Sequence, residues 1–424
     1  MGRSRVIALL IACAALAVMA SWLHQWAVAT PSQVRSAGYT ATYVASTQWR
    51  HGEGNLMYDR RAQTDAERRL GVSPGQLGNR FVNPPVAAVA AAPFSLLPLG
   101  DAYRAWSFVQ LLLLLAAIAI AVRTSPWPAG QPVVVRLAAG AFALAGAGGA
   151  VLVLEGQWDG VSALGLAAAY ASWRRGRPGS AGALLTATAL LAKPHLVLGL
   201  AGWLVGRRDR RTFAGAGAGL LLISAGTLAA GPALAAAFLG APGLSSSVTP
   251  VRMLLGFTGL FGSWLGDSPV TYGLAAGVGA IAFGACILLG AAARRSAAAL
   301  EASLGGAVVL SLLISPHLLV QDLAVLGVPF IWAMARSSEG DGARAWPGLR
   351  SLALLGGWVA LDLAARTDLG NYMPAPPGRL VPWVLLAGGL AACSACGVAR
   401  IRRLDRVSRA QRPGLGTVTT GVPH

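Results

Sequence analysis

Long apolar runs recur along the chain, separated by short clusters of arginine, and this alternation dictates the first reading. The runs cover residues 6–29, 102–122, 133–154, 161–173, 180–192, 196–206, 213–239, 270–293, 298–315, 318–335, 349–365 and 380–398. A helix of about 20 apolar residues crosses about 30 Å of hydrocarbon, so the pattern predicts an all-α, polytopic integral membrane protein with about 12 transmembrane helices. One more segment, 84–99, is short and carries Pro84, Pro85, Pro93 and Pro98. It reads as a re-entrant or interfacial segment, because proline interrupts a helix that would have to cross. The first run ends in Ala27-Val28-Ala29, an acceptable signal-peptide cleavage site. Its length favours an uncleaved first helix.

Composition agrees with the pattern. Of 424 residues, 55% are hydrophobic and 12% charged, and the mean hydropathy is +0.59. Soluble chains carry about a quarter charged residues, so this one belongs in lipid. The net charge of +18 suggests nucleic acid only until the basic residues are located. They lie in the connectors between apolar runs, where they report topology. If 84–99 does not cross, the clusters at Arg174-Arg175-Gly176-Arg177, at 207–211, at Arg294-Arg295 and at 400–412 all fall on the cytoplasmic side, with both termini. That side then holds 22 basic and 5 acidic residues, the outer side 12 and 11. The expected organisation is one transmembrane domain over 1–399 in the plasma membrane, with 30–83 as a first extracytoplasmic loop and 400–424 as a basic cytoplasmic tail. The run from 180 to 206 must turn back at Lys193-Pro194-His195 to keep its flanking arginines on one side. No nucleic-acid partner is expected. The four cysteines lie in apolar runs, and Cys393-x-x-Cys396 has no accompanying histidine, so neither a metal site nor a cofactor is expected.

Polar residues in or beside the membrane are costly and often functional. Lys193 is the one lysine among 34 basic residues. A compact ammonium suits a phosphate oxygen as a point charge, and His195 and His317 stand in outer turns where they can add donors. Compositional accident is the competing explanation for the lysine, and helix capping for His317. Asp322 and Asp362 fall near the outer ends of their runs, either as site residues or as partners of a neighbouring arginine or backbone group. The turn Glu155-Gly156-Gln157-Trp158-Asp159 gathers an amide, an aromatic face and carboxylates, a set suited to a sugar. Trp158 is equally suited to an interfacial belt.

Taken in order, these residues resemble a known family. A first helix is followed by a loop ending Asn55-Leu56-Met57-Tyr58-Asp59, then by Phe81-Val82-Asn83-Pro84-Pro85 running to Ala91-Ala92-Pro93. Gly156-Gln157, Lys193-Pro194 and Ser315-Pro316-His317 with Asp322 come after. The set is similar to glycosyltransferase family 87, the polyprenyl-phosphate-mannose-dependent mannosyltransferases of GT-C fold, over roughly residues 1–335. The resemblance implies transfer of a hexose, mannose above all, from a polyprenyl-phosphate donor to a glycolipid or glycan acceptor on the extracytoplasmic face, in contact with the lipid bilayer.

Such a reaction needs a carboxylate to take the acceptor's proton and a cationic group for the departing phosphate. The family's base is an aspartate four or five residues before a first-loop tyrosine. Matching that tyrosine to Tyr43 places Gly38 or Tyr39 there, neither of them a base. The role then passes to Asp159, Glu155 or Asp59, with Glu53 as a further carboxylate in the loop. Lys193, His195 and His317 are the expected phosphate ligands, and Gln157, Trp158, Asp322 and Tyr43 the sugar or acceptor contacts. Two other readings share the composition: a lipid-linked sugar transporter using Asp322 and Asp362, and a non-catalytic member acting as a scaffold.

Overall fold

The computed structural model describes residues 2–73, 80–246, 249–341, 346–370 and 377–410, and every regular element among them is helical. The helices used below are α1 (Arg3–Ala27), α2 (Tyr39–Arg50), α3 (Leu99–Thr124), α4 (Val133–Leu144), α5 (Ala147–Glu155), α6 (Asp159–Arg174) and α7 (Pro178–Ala192). They are followed by α8 (Val197–Arg207), α9 (Arg210–Ala230), α10 (Pro269–Arg295), α11 (Leu300–Ile314), α12 (Gly327–Asp341), α13 (Leu349–Gly370) and α14 (Val381–Ala410). Local chemistry sets their ends. The Ser268 hydroxyl accepts from Thr271 N at 3.3 Å and Pro269 occupies the first turn of α10, where its missing N–H is no loss.

Among the described residues four helices, α1, α3, α9 and α10, are long and apolar enough to cross a bilayer. The pair α4 and α5, bent by 54°, makes a fifth if counted as one span. Leu221, Ile281 and Leu288 are more than 70% exposed on α9 and α10, an apolar surface that lipid would cover. The described residues are thus all-helical with four or five membrane-span candidates, fewer than the twelve expected crossings. α7 and α11 have 15 residues each, about 22 Å of helix.

Three runs that read as continuous are interrupted. The 133–154 run bends because Ala147 N, at the start of α5, is taken by Asp362 Oδ1 at 2.6 Å. Glycine permits the close packing there: a Cβ on Gly148 would collide with the backbone at Ala324. The 213–239 run breaks at Gly231, whose φ of 149° lies outside the helical range. The 318–335 run opens with a 3-10 turn, Val320–Leu326, before α12 starts. The segment over 84–99 forms a seven-residue helix (Pro85–Ala91) and a 3-10 turn (Ala92–Leu96), too short to cross. The expected tail continues α14 to Ala410, and 411–424 lie outside the described residues.

Most of the bundle shares one apolar core. A second, smaller core joins the first loop to it, through Tyr39, Tyr58 and Phe81 on one side and Tyr103, Trp106 and Trp158 on the other. The loop is therefore a folded layer over one end of the bundle, and it fixes what lies beneath.

Candidate active site

Beneath that layer lies the turn from α5 to α6. α5 ends at Glu155, and Gly156 closes it in the left-handed region (φ +59°), which glycine adopts without strain. Two α3 side chains hold the turn: Tyr103 donates to the Leu154 carbonyl at 2.8 Å, and the Trp106 indole to the Gly156 carbonyl at 2.9 Å. Trp106 also packs on Trp158 (4.5 Å between rings), Tyr39 (5.8 Å) and Phe94 (5.3 Å). The Trp158 indole donates to the Thr42 hydroxyl of α2 at 3.2 Å. The turn and the first loop are therefore packed together.

The Glu155 carboxylate accepts a hydrogen bond from Gly38 N at 2.7 Å. A Cβ on Gly38 would run into the Gln157 side-chain amide. The residue that stands where an aspartate was expected thus lacks a side chain because Gln157 fills the space, and a carboxylate reaches the same backbone from across the turn. Glu155 is partly exposed.

A second group of polar residues lies deeper. Asp159 begins α6, Lys193 follows α7, and Asp322 sits in the 3-10 turn after α11. Lys193 Nζ lies 3.1 Å from Asp159 Oδ2 and also donates to Asp322 Oδ1. All three are buried, both aspartates completely. Asp322 Oδ2 in turn accepts from Leu319 N at 2.7 Å, which shapes the 3-10 turn. The Tyr58 hydroxyl donates to the Asn83 carbonyl at 2.6 Å, and the Asn83 amide donates to the Ala192 carbonyl beside Lys193. The first loop thus touches this group too.

His195 and His317 meet edge to face, 6.2 Å between rings, next to the lysine. Both lie in connecting turns. Burial pushes both imidazoles below their usual range, His195 to about 3. They are neutral at pH 7, so the expected cationic cluster is a single ammonium offset by two carboxylates. His195 Nε2 is buried with no hydrogen-bond partner among the described residues.

Five of the ten expected residues, Asp159, Lys193, His195, His317 and Asp322, therefore meet in one group. Glu155, Gln157 and Trp158 adjoin it through the turn, with Trp158 only 3% exposed. Tyr43 donates to the Leu97 carbonyl at 3.0 Å, apart from this group. Asp59 is exposed and caps the helix Arg60–Arg69 through Ala62 N at 2.7 Å. Sequence reasoning missed the α3 face, Tyr103, Trp106, Ser107 and Gln110. Its signal was present: aromatic and polar side chains at i, i+3, i+4 and i+7 in the first half of a helix whose second half is almost wholly Leu, Ala and Ile.

Asp362, expected to pair with a neighbouring arginine or a backbone group, does both. Besides capping α5 it accepts from Arg366 Nε at 2.8 Å. Among the described residues there is no group of three or more side chains suited to a metal ion.

The model of glycosyltransferase family 87 matches residues 81–316, more than half the chain. The match includes Asn83, the Glu155-to-Asp159 turn and Lys193. It ends just before His317 and leaves out the first loop up to Arg80. No curated protein and no solved structure matches the chain.

Proposed function

The chain belongs to glycosyltransferase family 87, and on that premise we propose that it moves a hexose, mannose in the first instance, from a polyprenyl-phosphate donor to a hydroxyl of a glycolipid or glycan. The observation that carries this reading is the Glu155 carboxylate held at Gly38 N, at the join between the first loop and the bundle. Of the three candidate carboxylates, Glu155 alone combines partial exposure with a position at the site. Asp159 is completely buried against Lys193, and Asp59 is committed to a helix cap.

In this mechanism Glu155 takes the proton from the acceptor hydroxyl as that oxygen attacks the anomeric carbon. The bond from that carbon to the phosphate oxygen breaks, and the polyprenyl phosphate leaves. A phosphate is stable as an anion at neutral pH and needs no acid. The Lys193 ammonium has three N–H groups: one is donated to Asp322, the charge is also paired with Asp159 at 3.1 Å, and a remaining N–H serves a phosphate oxygen. His195 Nε2, without a partner among the described residues, is the second donor. Asp159 and Asp322 are positioning residues that hold the ammonium. Single displacement at the anomeric carbon inverts its configuration.

The test is direct. Purified protein in phosphatidylcholine nanodiscs, given polyprenyl-phosphate mannose and hexadecyl mannoside, should yield a dimannoside and free polyprenyl phosphate in equal amounts, with the new linkage inverted relative to the donor. Retention of configuration, or sugar flux across vesicles with no product, would overturn the proposal.

A further inference from the structure

Charge of one sign collects at the opposite end of the bundle. α6 has Asp159 at its start and Arg174 at its end, about 22 Å apart along the axis. α7 and α8 likewise run from the Lys193-Pro194-His195 turn to arginine-rich turns, Arg174-Arg175-Gly176-Arg177 and 207–211. Packing brings these turns and the end of α10 onto one face. Trp173 and Trp203 meet edge to face at 5.2 Å, and the Trp173 indole donates to the Thr212 hydroxyl of α9 at 3.2 Å. A Cβ on Gly215 would collide with the Gly179 carbonyl, and one on Gly290 with the backbone at Arg207. α9 therefore lies against α7 there, and α10 against α8. The Arg207 guanidinium sits over both indoles, its central carbon 5.3 and 5.1 Å from the ring centres, a cation–π contact that holds it in place.

Little counter-charge reaches this face. Asp209 stands 3.9 Å from Arg207 Nε and is engaged in starting α9, where it accepts from Arg211 N at 3.1 Å and from the Thr212 hydroxyl at 2.7 Å. Glu301 is buried, held by Arg336 at 2.8 Å and by the Tyr170 hydroxyl at 2.7 Å, with Arg174 at 3.6 Å. Among the described residues, the exposed side chains of Arg175, Arg177, Arg208, Arg210 and Arg211 pair with no carboxylate. Arginine at a helix end reports sidedness by itself. Like charges from several turns gathered on one face also repel one another, and relief comes from an anion outside the chain.

The flanks decide which anion. α9 begins and α10 ends in the patch, and both are long and apolar enough to cross a bilayer. Val205 of α8 and Phe213 of α9, each two residues from an arginine of the patch, are exposed, as is Leu288, six residues before Arg294. The arginines stand where an exposed apolar wall ends, the level of lipid headgroups. Guanidinium groups offer paired N–H donors that match a phosphate. We infer that the α6–α7 and α8–α9 turns, with the end of α10, form a binding surface for anionic phospholipids, whose phosphates lie among these arginines and whose acyl chains follow the apolar sides of α9 and α10. The surface is independent of the transferase reading, since it shares no residue with the proposed site.

The experiment is lipid retention by the full chain, released from detergent and weighed by native mass spectrometry in equimolar phosphatidylglycerol and phosphatidylcholine. Phosphatidylglycerol should be retained in preference by about tenfold or more, the scale expected for several arginines at an anionic headgroup. Excess inorganic phosphate should leave it bound. The preference should collapse in the triple variant Arg175→Gln, Arg208→Gln, Arg210→Gln, and survive in Arg60→Gln, Arg61→Gln, Arg69→Gln, which removes three exposed arginines from the first loop. All six positions are exposed, and both variants should keep the wild-type unfolding midpoint in phosphatidylcholine. Equal retention of the two lipids by the wild-type protein would overturn the inference without recourse to any variant. So would a preference that persists in the first variant, or one lost equally in both. Displacement of the lipid by inorganic phosphate would overturn it by making the patch a site for free anions.

Discussion

Replacing Lys193 by methionine removes an ammonium from between two fully buried carboxylates while keeping most of the stem's volume. Breaking a buried ion pair by deleting one partner costs about 3–5 kcal/mol, because the remaining charge is left without compensation. Here Asp159 and Asp322 both lose their counter-charge, so Lys193→Met should fall at the upper end of that range unless a proton is taken up. Asp159→Asn is the informative control. It leaves Lys193 facing Asp322 one to one, and Asp159 makes no backbone contact to lose, so its cost should stay below about 2 kcal/mol, near that of one charged hydrogen bond. Asp322→Asn should cost more, since Asp322 also fixes Leu319 N. The triple variant Lys193→Met, Asp159→Asn, Asp322→Asn has no buried charge left in the group and should regain much of the lost stability while losing activity. The assay is the unfolding midpoint in one detergent at one protein concentration. If Lys193→Met unfolded at the wild-type midpoint, or Asp159→Asn were as damaging, the ion-pair account would be wrong.

Three further outcomes are expected. His195 is buried neutral with its pKa lowered from 6.5 to about 3, so the unfolded chain binds its proton first as pH falls. Stability should therefore decline below pH 6.5 by up to about 1.4 kcal/mol per unit until about pH 3, and a pH series of unfolding midpoints should flatten in His195→Gln. Gly148→Ala places a methyl group against the Ala324 backbone, which cannot yield as a side chain can. It should cost about 1–3 kcal/mol by overpacking, read from the unfolding midpoint. Gly38→Ala meets only the flexible end of Gln157, so stability should hardly change while the acceptor KM rises. An unchanged KM would remove Gln157 from the acceptor site.

The membrane character and the helical class were legible from hydropathy because burial in lipid demands apolar side chains on every face. Breaks within apolar runs were not, since the 133–154 and 318–335 runs contain no proline where they bend. Asp362 on Ala147 N and Asp322 on Leu319 N make those bends, and both contacts are tertiary or depend on local geometry that hydropathy does not carry. Lys193 was conspicuous as the lone lysine, and its neighbours His195, His317 and Asp322 followed from topology. Asp159 and Asp322 were both named as candidates, but their pairing with Lys193 was not legible, because they come from separate helical segments that meet only in the fold. The α3 face of Tyr103, Trp106, Ser107 and Gln110 was readable by its spacing. Its contact with Gly156 emerges only when the first loop is seen to fold over the turn.

The central claim is that a transferase site lies where the first loop meets the α5–α6 turn, with Glu155 as its base. The most direct measurement is turnover of polyprenyl-phosphate mannose with hexadecyl mannoside by Glu155→Gln, an isosteric change that removes the proton acceptor. The account predicts a fall of about 10²–10⁴ in kcat at unchanged donor affinity, with Asp59→Asn near the wild-type rate. A Glu155→Gln protein that keeps full turnover while Asp159→Asn loses it would contradict the account and move the base to the buried aspartate.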